Sequence, residues 1–134
     1  MKVLSLFILL TFTLFVNAQD TNWILQSEQL IPPSNYANIH VQNLFNDTLS
    51  SVFCIWIKKE VKLHKHASHT EQVMVLEGEG KMLLDGKETL ISKGSIINIP
   101  KGTPHKVTVT STIPLKVISI QSPRFDGTDR IILE

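Results

Sequence analysis

Residues 64–78 read HKHASHTEQVMVLEG, and this stretch decides the fold of the chain. One residue separates His64 from His66, and four residues separate His66 from Glu71. Side chains two positions apart on a strand face the same side, so both imidazoles are predicted to face one way. Such a set favours a metal site over core packing, because a metal ion satisfies several buried polar groups together.

A second stretch, GSIINIPKGTPH at residues 94–105, ends on another histidine. Pro100 and Pro104 each fix φ, while Gly102 frees it, so residues 100–104 are predicted to form a rigid turn. That turn delivers His105 as the first residue of the next strand.

The two stretches resemble the two sequence motifs of the cupin superfamily. The first reads His-x-His, four residues, Glu, six residues, Gly; the second reads Gly, five residues, Pro-x-Gly, two residues, His. The chain is similar to a small single-domain type-2 cupin with an exported signal peptide. The resemblance implies an all-β fold, a single cupin β-barrel or jelly-roll-like sandwich. It also implies one metal ion held by four side chains, which are those of His64, His66, Glu71 and His105.

The rest of the chain independently favours an all-β fold. Its segments are short, rich in Val, Ile and Thr, and bounded by Gly, Pro, Asp or Asn, which is typical of sandwiches and barrels. Asp85-Gly86 between two apolar runs predicts a β-hairpin. Many cupins have Asn where Val109 stands, and this departure predicts a drier barrel interior near the metal.

The N-terminus has the pattern of a secretory signal peptide. Lys2 precedes an apolar run, Val3–Val16, which is shorter than the ~20 residues that a transmembrane helix needs. Val16-Asn17-Ala18 fits a cleavage site, so the chain is predicted to be secreted or periplasmic, with no membrane contact after cleavage. The predicted organisation is a signal peptide at 1–18, an N-terminal extension and edge strand at 19–45, and the barrel at 46–134.

The charge balance disfavours two classes of partner, and the cysteine content bears on disulfides and thiol chemistry. The 134 residues include 13 Lys and Arg against 12 Asp and Glu, with no basic run, which disfavours nucleic acid and anionic membranes. Cys54 is the only cysteine, so no internal disulfide forms. It lies in an apolar strand-like run, which favours a buried hydrophobic residue over a reactive thiol or a ligand.

Three nitrogens and one oxygen suit Mn, Fe, Ni, Co, Cu or Zn better than Ca or Mg, and the sequence does not select among them. No other cofactor is indicated. His69 lies outside the motif pattern and is interpreted as a solvent-facing loop residue. Glu60 and Glu77 are interpreted as exposed, so no acid–base pair and no catalytic residue is assigned beyond the ligands.

Three functions remain open at this point. The first is a metal-dependent enzyme acting on a small polar metabolite, with sugar derivatives among the candidates. Both arginines, Arg124 and Arg130, lie in the tail rather than near the motifs, which disfavours a phosphosugar. The alternatives are a non-catalytic small-ligand or sugar-binding module and a seed-storage-like or assembly role, in which the barrel dimerises through its second apolar face.

The oligomeric state is predicted from strands that are apolar on both faces. Residues 51–57 and 95–99 have this property, although a small barrel has only one interior. The surplus predicts either a homodimer interface or a cover formed by residues 19–45.

Overall fold

The computed structural model describes residues 24–133, which form ten β-strands preceded by one 3₁₀ turn, Ser27–Gln29. The predicted signal peptide, residues 1–18, lies outside the described residues. In chain order the strands are β1 Ile39–Asn46, β2 Ser51–Ile57, β3 Glu60–Lys65, β4 Thr70–Glu77, β5 Glu79–Leu84, β6 Lys87–Ser92, β7 Ile96–Ile99, β8 His105–Val109, β9 Leu115–Ser122 and β10 Ile131–Ile132. Within the described range, no helix is long and apolar enough to cross a membrane.

The strands form two five-stranded antiparallel sheets, which confirms the predicted all-β fold. Sheet A has the order β1-β2-β9-β4-β7, and sheet B has the order β10-β3-β8-β5-β6. Inward-facing side chains from both sheets pack into one apolar core, because alternate residues of each strand point to the same face. The buried members of this core are Ile57, Val75, Met82, Ile91, Ile99, Val107, Leu115 and Val117.

The predicted hairpin at Asp85-Gly86 is confirmed and joins β5 to β6. Both residues have positive φ, 48° and 78°, as a two-residue type I′ turn requires. The turn sets the register in which Leu84 pairs with Lys87. This hairpin occupies the chain between the two motifs and completes one edge of sheet B.

The outer face of sheet A is partly covered by the segment that precedes β2. Trp56 and Cys54 lie on this outer face and are nevertheless buried. His40 of β1 stacks against Trp56, with ring centroids 5.6 Å apart. Lys116 lies beside them and donates to the carbonyl oxygen of Ser27 at 2.7 Å. Of the two predicted explanations for the apolar outer face of β2, a dimer interface or a cover formed by residues 19–45, these contacts agree with the cover.

The prediction for Cys54 is confirmed, since its side chain is fully buried. Burial raises the pKa of its thiol to about 11, so the thiolate is scarce at neutral pH.

Gly78 is the corner at which the chain leaves sheet A and enters sheet B. It separates β4 from β5 and has a φ of +78°, a conformation that favours glycine. A Cβ atom there would lie 2.7 Å from the carbonyl oxygen of Pro114 and 2.9 Å from Cα of Leu115. Both neighbours are backbone atoms, so the site has no room for a side chain.

Gly78→Ala is therefore expected to destabilise the protein by roughly 3 kcal/mol or more, from the left-handed φ and the backbone clash together. Gly86→Ala is the matched control, because Gly86 has the same φ of +78° with nothing within 4 Å of its Cβ position. It should lose only about 1 kcal/mol. Urea unfolding of both variants measures the difference, and equal losses would contradict the steric reading.

Candidate metal centre

Three buried histidines meet at one end of the barrel interior. His64 on β3 lies directly opposite His105, the first residue of β8, and His66 follows β3 by one residue. The ring centroids of His64 and His105 are 4.1 Å apart, and those of His64 and His66 are 5.1 Å apart. One ring nitrogen from each of the three lies within 4.8 Å of the others, so together they could hold a metal ion.

Backbone carbonyls fix the orientation of all three rings. Nδ1 of His64 lies 2.8 Å from the oxygen of Lys62, and Nδ1 of His105 lies 2.9 Å from that of Thr103. Nδ1 of His66 bonds the carbonyl oxygen of Asp129. A carbonyl oxygen only accepts, so each Nδ1 carries the hydrogen and each Nε2 is left free to act as a ligand.

Glu71 approaches this cluster from the opposite sheet. It lies on β4 in sheet A, and its Oε2 is 3.4 Å from Nε2 of His105 and 3.6 Å from Nε2 of His66. β3 and β4 follow one another in the chain but belong to different sheets. The carboxylate and the imidazoles therefore converge across the barrel interior.

The distances of 3.4 and 3.6 Å are at or slightly above those between ligand atoms around one ion. Two ligand atoms each about 2.1 Å from an ion, at angles of 90–110°, lie about 3.0–3.4 Å apart. Nε2 of His105 is buried and has no hydrogen-bond partner among the described residues, an arrangement that costs free energy unless something else satisfies it. A transition metal would satisfy it, and the nitrogen donors present suit such an ion.

The pKa values of His64 and His66 shift in opposite directions. Burial and, to a smaller extent, the neighbouring His105 lower the pKa of His64 to about 4, so His64 is neutral at physiological pH. For His66 burial also lowers the pKa, but Glu71 and the carbonyl of Asp129 raise it by more, and the net shift is upward. The carboxylate of Glu71 therefore favours the protonated form of His66 when no metal is bound.

The pKa of Glu71 moves the other way. Burial raises it, but the nearby His105 and His66 rings and the hydroxyl of Ser119 lower it by more, so the pKa lies well below its usual range. Ser119 donates its hydrogen to Oε1 of Glu71, which leaves Oε2 facing the histidines. The carboxylate is thus ionised and oriented before any ion arrives.

Asp129, in the tail after β9, organises the loop between the histidine strand and Glu71. Its carboxylate accepts hydrogen bonds from the backbone N–H groups of Ala67, Ser68 and His69 at 2.8, 2.9 and 3.1 Å. It also accepts from the Ser68 hydroxyl at 2.8 Å and from Nδ1 of His69. Because its backbone carbonyl also bonds Nδ1 of His66, Asp129 holds both the loop and the ring of a candidate ligand. No local signal in the sequence marks this role.

The expectation that His69 faces solvent is wrong, because only 5% of the residue is exposed. Nδ1 bonds the carboxylate of Asp129, and Nε2 lies 3.0 Å from the carbonyl oxygen of Arg124. Both ring nitrogens are therefore engaged in fastening the tail to the loop. Neither is left for a metal, which agrees with the absence of His69 from the predicted ligands.

A cavity of about 180 Å³ opens next to the three histidines and Glu71. Aliphatic side chains from both sheets form most of its wall, and Phe53 and Phe125 meet edge-to-face beside it, with centroids 6.3 Å apart. A ligand in this cavity would reach the candidate metal centre directly.

The chain belongs to the cupin family, whose domain matches residues 51–121. An uncharacterized protein of Methanocaldococcus jannaschii is 40% identical over 72 residues, covering 54% of this chain and 58% of that protein. Quercetin 2,3-dioxygenase of Bacillus subtilis is 41% identical over 49 residues, covering 37% of this chain and 14% of the enzyme. The chain thus matches only part of the length of these relatives.

Solved structures share the fold. A protein of Klebsiella pneumoniae with a double-stranded β-helix domain aligns with a TM-score of 0.69 at 20% identity, covering 83% of this chain and 96% of that one. Pac13, a nucleoside dehydratase from Streptomyces, aligns with a TM-score of 0.61 at 11% identity, covering 70% of this chain and 85% of that one. The metal set of His64, His66, Glu71 and His105 remains a prediction beside these likenesses.

Asp129→Asn is expected to weaken metal binding about 10- to 100-fold, the scale on which groups that orient a ligand ring matter. The carboxylate fastens the tail to the loop, and losing it should displace the backbone carbonyl of Asp129 that orients His66. An amide has one acceptor oxygen in place of two and adds two hydrogens facing the loop donors. Titration with Co²⁺, followed by calorimetry and by the visible spectrum of the bound ion, measures affinity and ligand geometry.

Asp126→Asn is the matched control for this substitution. The carboxylate of Asp126 lies in the same tail but accepts hydrogen bonds from the backbone N–H and the hydroxyl of Thr128, at 2.9 and 2.6 Å, rather than from the loop. Its Co²⁺ affinity and spectrum should match the wild type. If both variants bind Co²⁺ as the wild type does, Asp129 does not position His66.

Proposed function

We propose that this protein is a metal-dependent enzyme that acts on a small molecule inside the barrel. The observation that carries the proposal is the buried Nε2 of His105, which has no hydrogen-bond partner among residues 24–133 and lies beside the other two histidines and Glu71. Four protein ligands leave two positions of an octahedral shell open to water or substrate. A bound divalent ion supplies Lewis acidity to an oxygen of the substrate.

Manganese, iron, nickel, cobalt, copper and zinc all suit three imidazoles and one carboxylate, so we propose a divalent transition metal without choosing one. The protein's part is to hold Glu71 ionised, to keep His64 neutral and to exclude bulk water with an apolar wall. Each of these favours ion binding or strengthens electrostatic interactions inside the site.

The reaction is open to more than one class. The named relatives are a dioxygenase and a dehydratase, and both names describe chemistry on small molecules. The sequence led us to a polar, sugar-related substrate, and the uridine bound to Pac13 supports a ligand that carries hydroxyl groups. In this chain Glu71 is the only carboxylate that lines the cavity among the described residues, so we assign no separate acid–base pair.

That missing acid–base pair favours a second candidate, a non-catalytic module that binds a small ligand or a sugar. Metal-loaded protein incubated with a panel of metabolites separates the two. Product formation supports the enzyme, whereas a rise in melting temperature without product supports the binding module.

Substitution of any one of the four predicted ligands by Ala is expected to remove most bound metal, because three donors are a weaker site than four. The variants are His64→Ala, His66→Ala, Glu71→Ala and His105→Ala, and metal content by mass spectrometry is the measurement. His40→Ala is the control, since that ring stacks between Tyr36 and Trp56 away from the centre. Full occupancy in Glu71→Ala or His105→Ala would refute the assignment.

The same experiment has a pH dependence and a folding control. The pKa of His66 is raised, so a proton competes with the metal for this ring. As the pH is lowered, metal affinity should therefore begin to fall before pH 6.5, the ordinary pKa of histidine, is reached. Chelation should leave the β signal in circular dichroism intact, because the apolar core joins both sheets without the metal. Loss of that signal would show that the barrel needs its ion.

We also propose that the protein is exported and that residues 1–18 are removed, on the pattern of Lys2, the apolar run and Val16-Asn17-Ala18. N-terminal sequencing of protein secreted or released from the periplasm should begin near Gln19. Met1 on that material would contradict cleavage.

A homodimer is the third proposal, and it rests on apolar residues left on the outside of the barrel. Ile96 on β7 and Leu90 on β6 are 74% and 73% exposed, and Met74 pairs beside Ile96 with 45% exposure. Burying such side chains against a second copy would be favourable. Sedimentation at micromolar concentration should give twice the monomer mass, and Ile96→Lys should shift it toward the monomer. A wild-type monomer would refute the proposal.

A further inference from the structure

The small number of polar groups in the cavity wall limits the kind of ligand that it can bind. Among the described lining residues, the polar ones besides the four predicted ligands are Lys106, Gln121 and Arg130. The remainder are aliphatic, aromatic or methionine side chains. A ligand must therefore bury an apolar body and place its few polar groups near these residues.

Gln121 offers one free acceptor inside the cavity. It pairs across β4 and β9 with Glu71, is 6% exposed, and its Oε1 has no hydrogen-bond partner among the described residues. Its Nε2 lies 3.5 Å from Oγ of Ser119, whose single hydrogen goes to Glu71. Ser119 must accept from Gln121, and this requirement fixes which amide atom faces Ser119. Oε1 is thus the unpaired atom, and it calls for a donor such as a hydroxyl.

Arg130 offers a positive charge with no internal partner. It lines the cavity, is exposed, and forms no ion pair with any residue that the structure describes. Its neighbours in the chain are fixed, since Asp129 holds the loop and Ile131 pairs with Lys65. Lys106 is the other cation along the wall. A carboxylate suits a guanidinium better than any neutral group does.

We propose that this cavity binds a small hydroxycarboxylic acid with an apolar side chain, whose hydroxyl donates to Gln121 and whose carboxylate pairs with Arg130. The inference deepens the proposed function, because the ligand would lie against the same candidate metal centre. The sequence predicted a small polar substrate, and the inference restricts that substrate to one with few hydroxyl groups.

A polyhydroxylated sugar fits this wall poorly. Every hydroxyl that leaves water needs a new partner, and each one left without a partner is penalised. Besides Nε2 of His105, which belongs to the candidate metal centre, Oε1 of Gln121 is the one buried side-chain acceptor without a hydrogen-bond partner among the described lining residues. A sugar acid would leave several hydroxyls against Ile, Val and Leu side chains, whereas a branched aliphatic body gains from burial there.

Four probes test the inference in metal-free protein, so that a carboxylate–metal bond does not mask the wall. They are α-hydroxyisocaproate, isocaproate without the hydroxyl, α-hydroxyisocaproamide without the charge, and gluconate as the polyhydroxylated anion. NMR titration of the full mature chain reads weak affinities. We expect α-hydroxyisocaproate to bind best, with each analogue weaker by about tenfold.

Two variants assign the contacts. Gln121→Met conserves volume and should abolish the preference for α-hydroxyisocaproate over isocaproate, while Gln72→Met, on the outer face of β4, should keep it. Arg130→Gln should abolish the preference for the acid over its amide, while Arg124→Gln, in the same tail but outside the cavity, should keep it.

Gluconate binding as tightly as α-hydroxyisocaproate would overturn the inference, as would an unchanged hydroxyl preference in Gln121→Met. Wild-type discrimination among the probes decides the matter even if a variant fails to fold. Failure of the proposed enzyme shows separately, as missing metal uptake or missing turnover, because the probes are tested without metal.

Discussion

The pairing of β3 with β8 is the constraint on which the site depends. It sets His64 opposite His105 in sheet B, and the backbone carbonyls of the same two segments hold both Nδ1 atoms. A slip of one residue would turn every side chain of a strand to the other face and scatter the cluster. The core that fixes this register is apolar and continuous across both sheets, so we expect packing to place the histidines even without a metal.

Glu71 and the tail after β9 supply the parts of the candidate metal centre that β3 and β8 do not. Glu71 reaches the histidines from the opposite sheet, and Ser119 and Gln121 on β9 support it from beside. The tail returns over the same end of the barrel, where Asp129 fastens His66 and the loop after it. Residues far apart in sequence thus converge on one cavity that has few polar groups.

The sequence predicted those parts of the molecule that local patterns control. Strand alternation and the Asp85-Gly86 turn were sufficient for the fold, and the two motifs marked the three histidines that the structure brings together. It was wrong about His69, because burial of a loop residue depends on the tail that covers it. Asp129, Gln121 and Arg130 were not identified as site residues, since each acts through long-range contacts and none lies in a motif.

Diffraction from crystals grown with Co²⁺ or Zn²⁺, measured at the absorption edge of the metal, tests the central claim most directly. We predict one strong anomalous peak bonded to Nε2 of His64, His66 and His105 and to an oxygen of Glu71, with bonds of about 2.0–2.2 Å. The Nδ1 atoms should keep their carbonyl partners. A peak bonded to an Nδ1 atom, a peak outside the cavity, or no peak in crystals that contain the ion would contradict the claim.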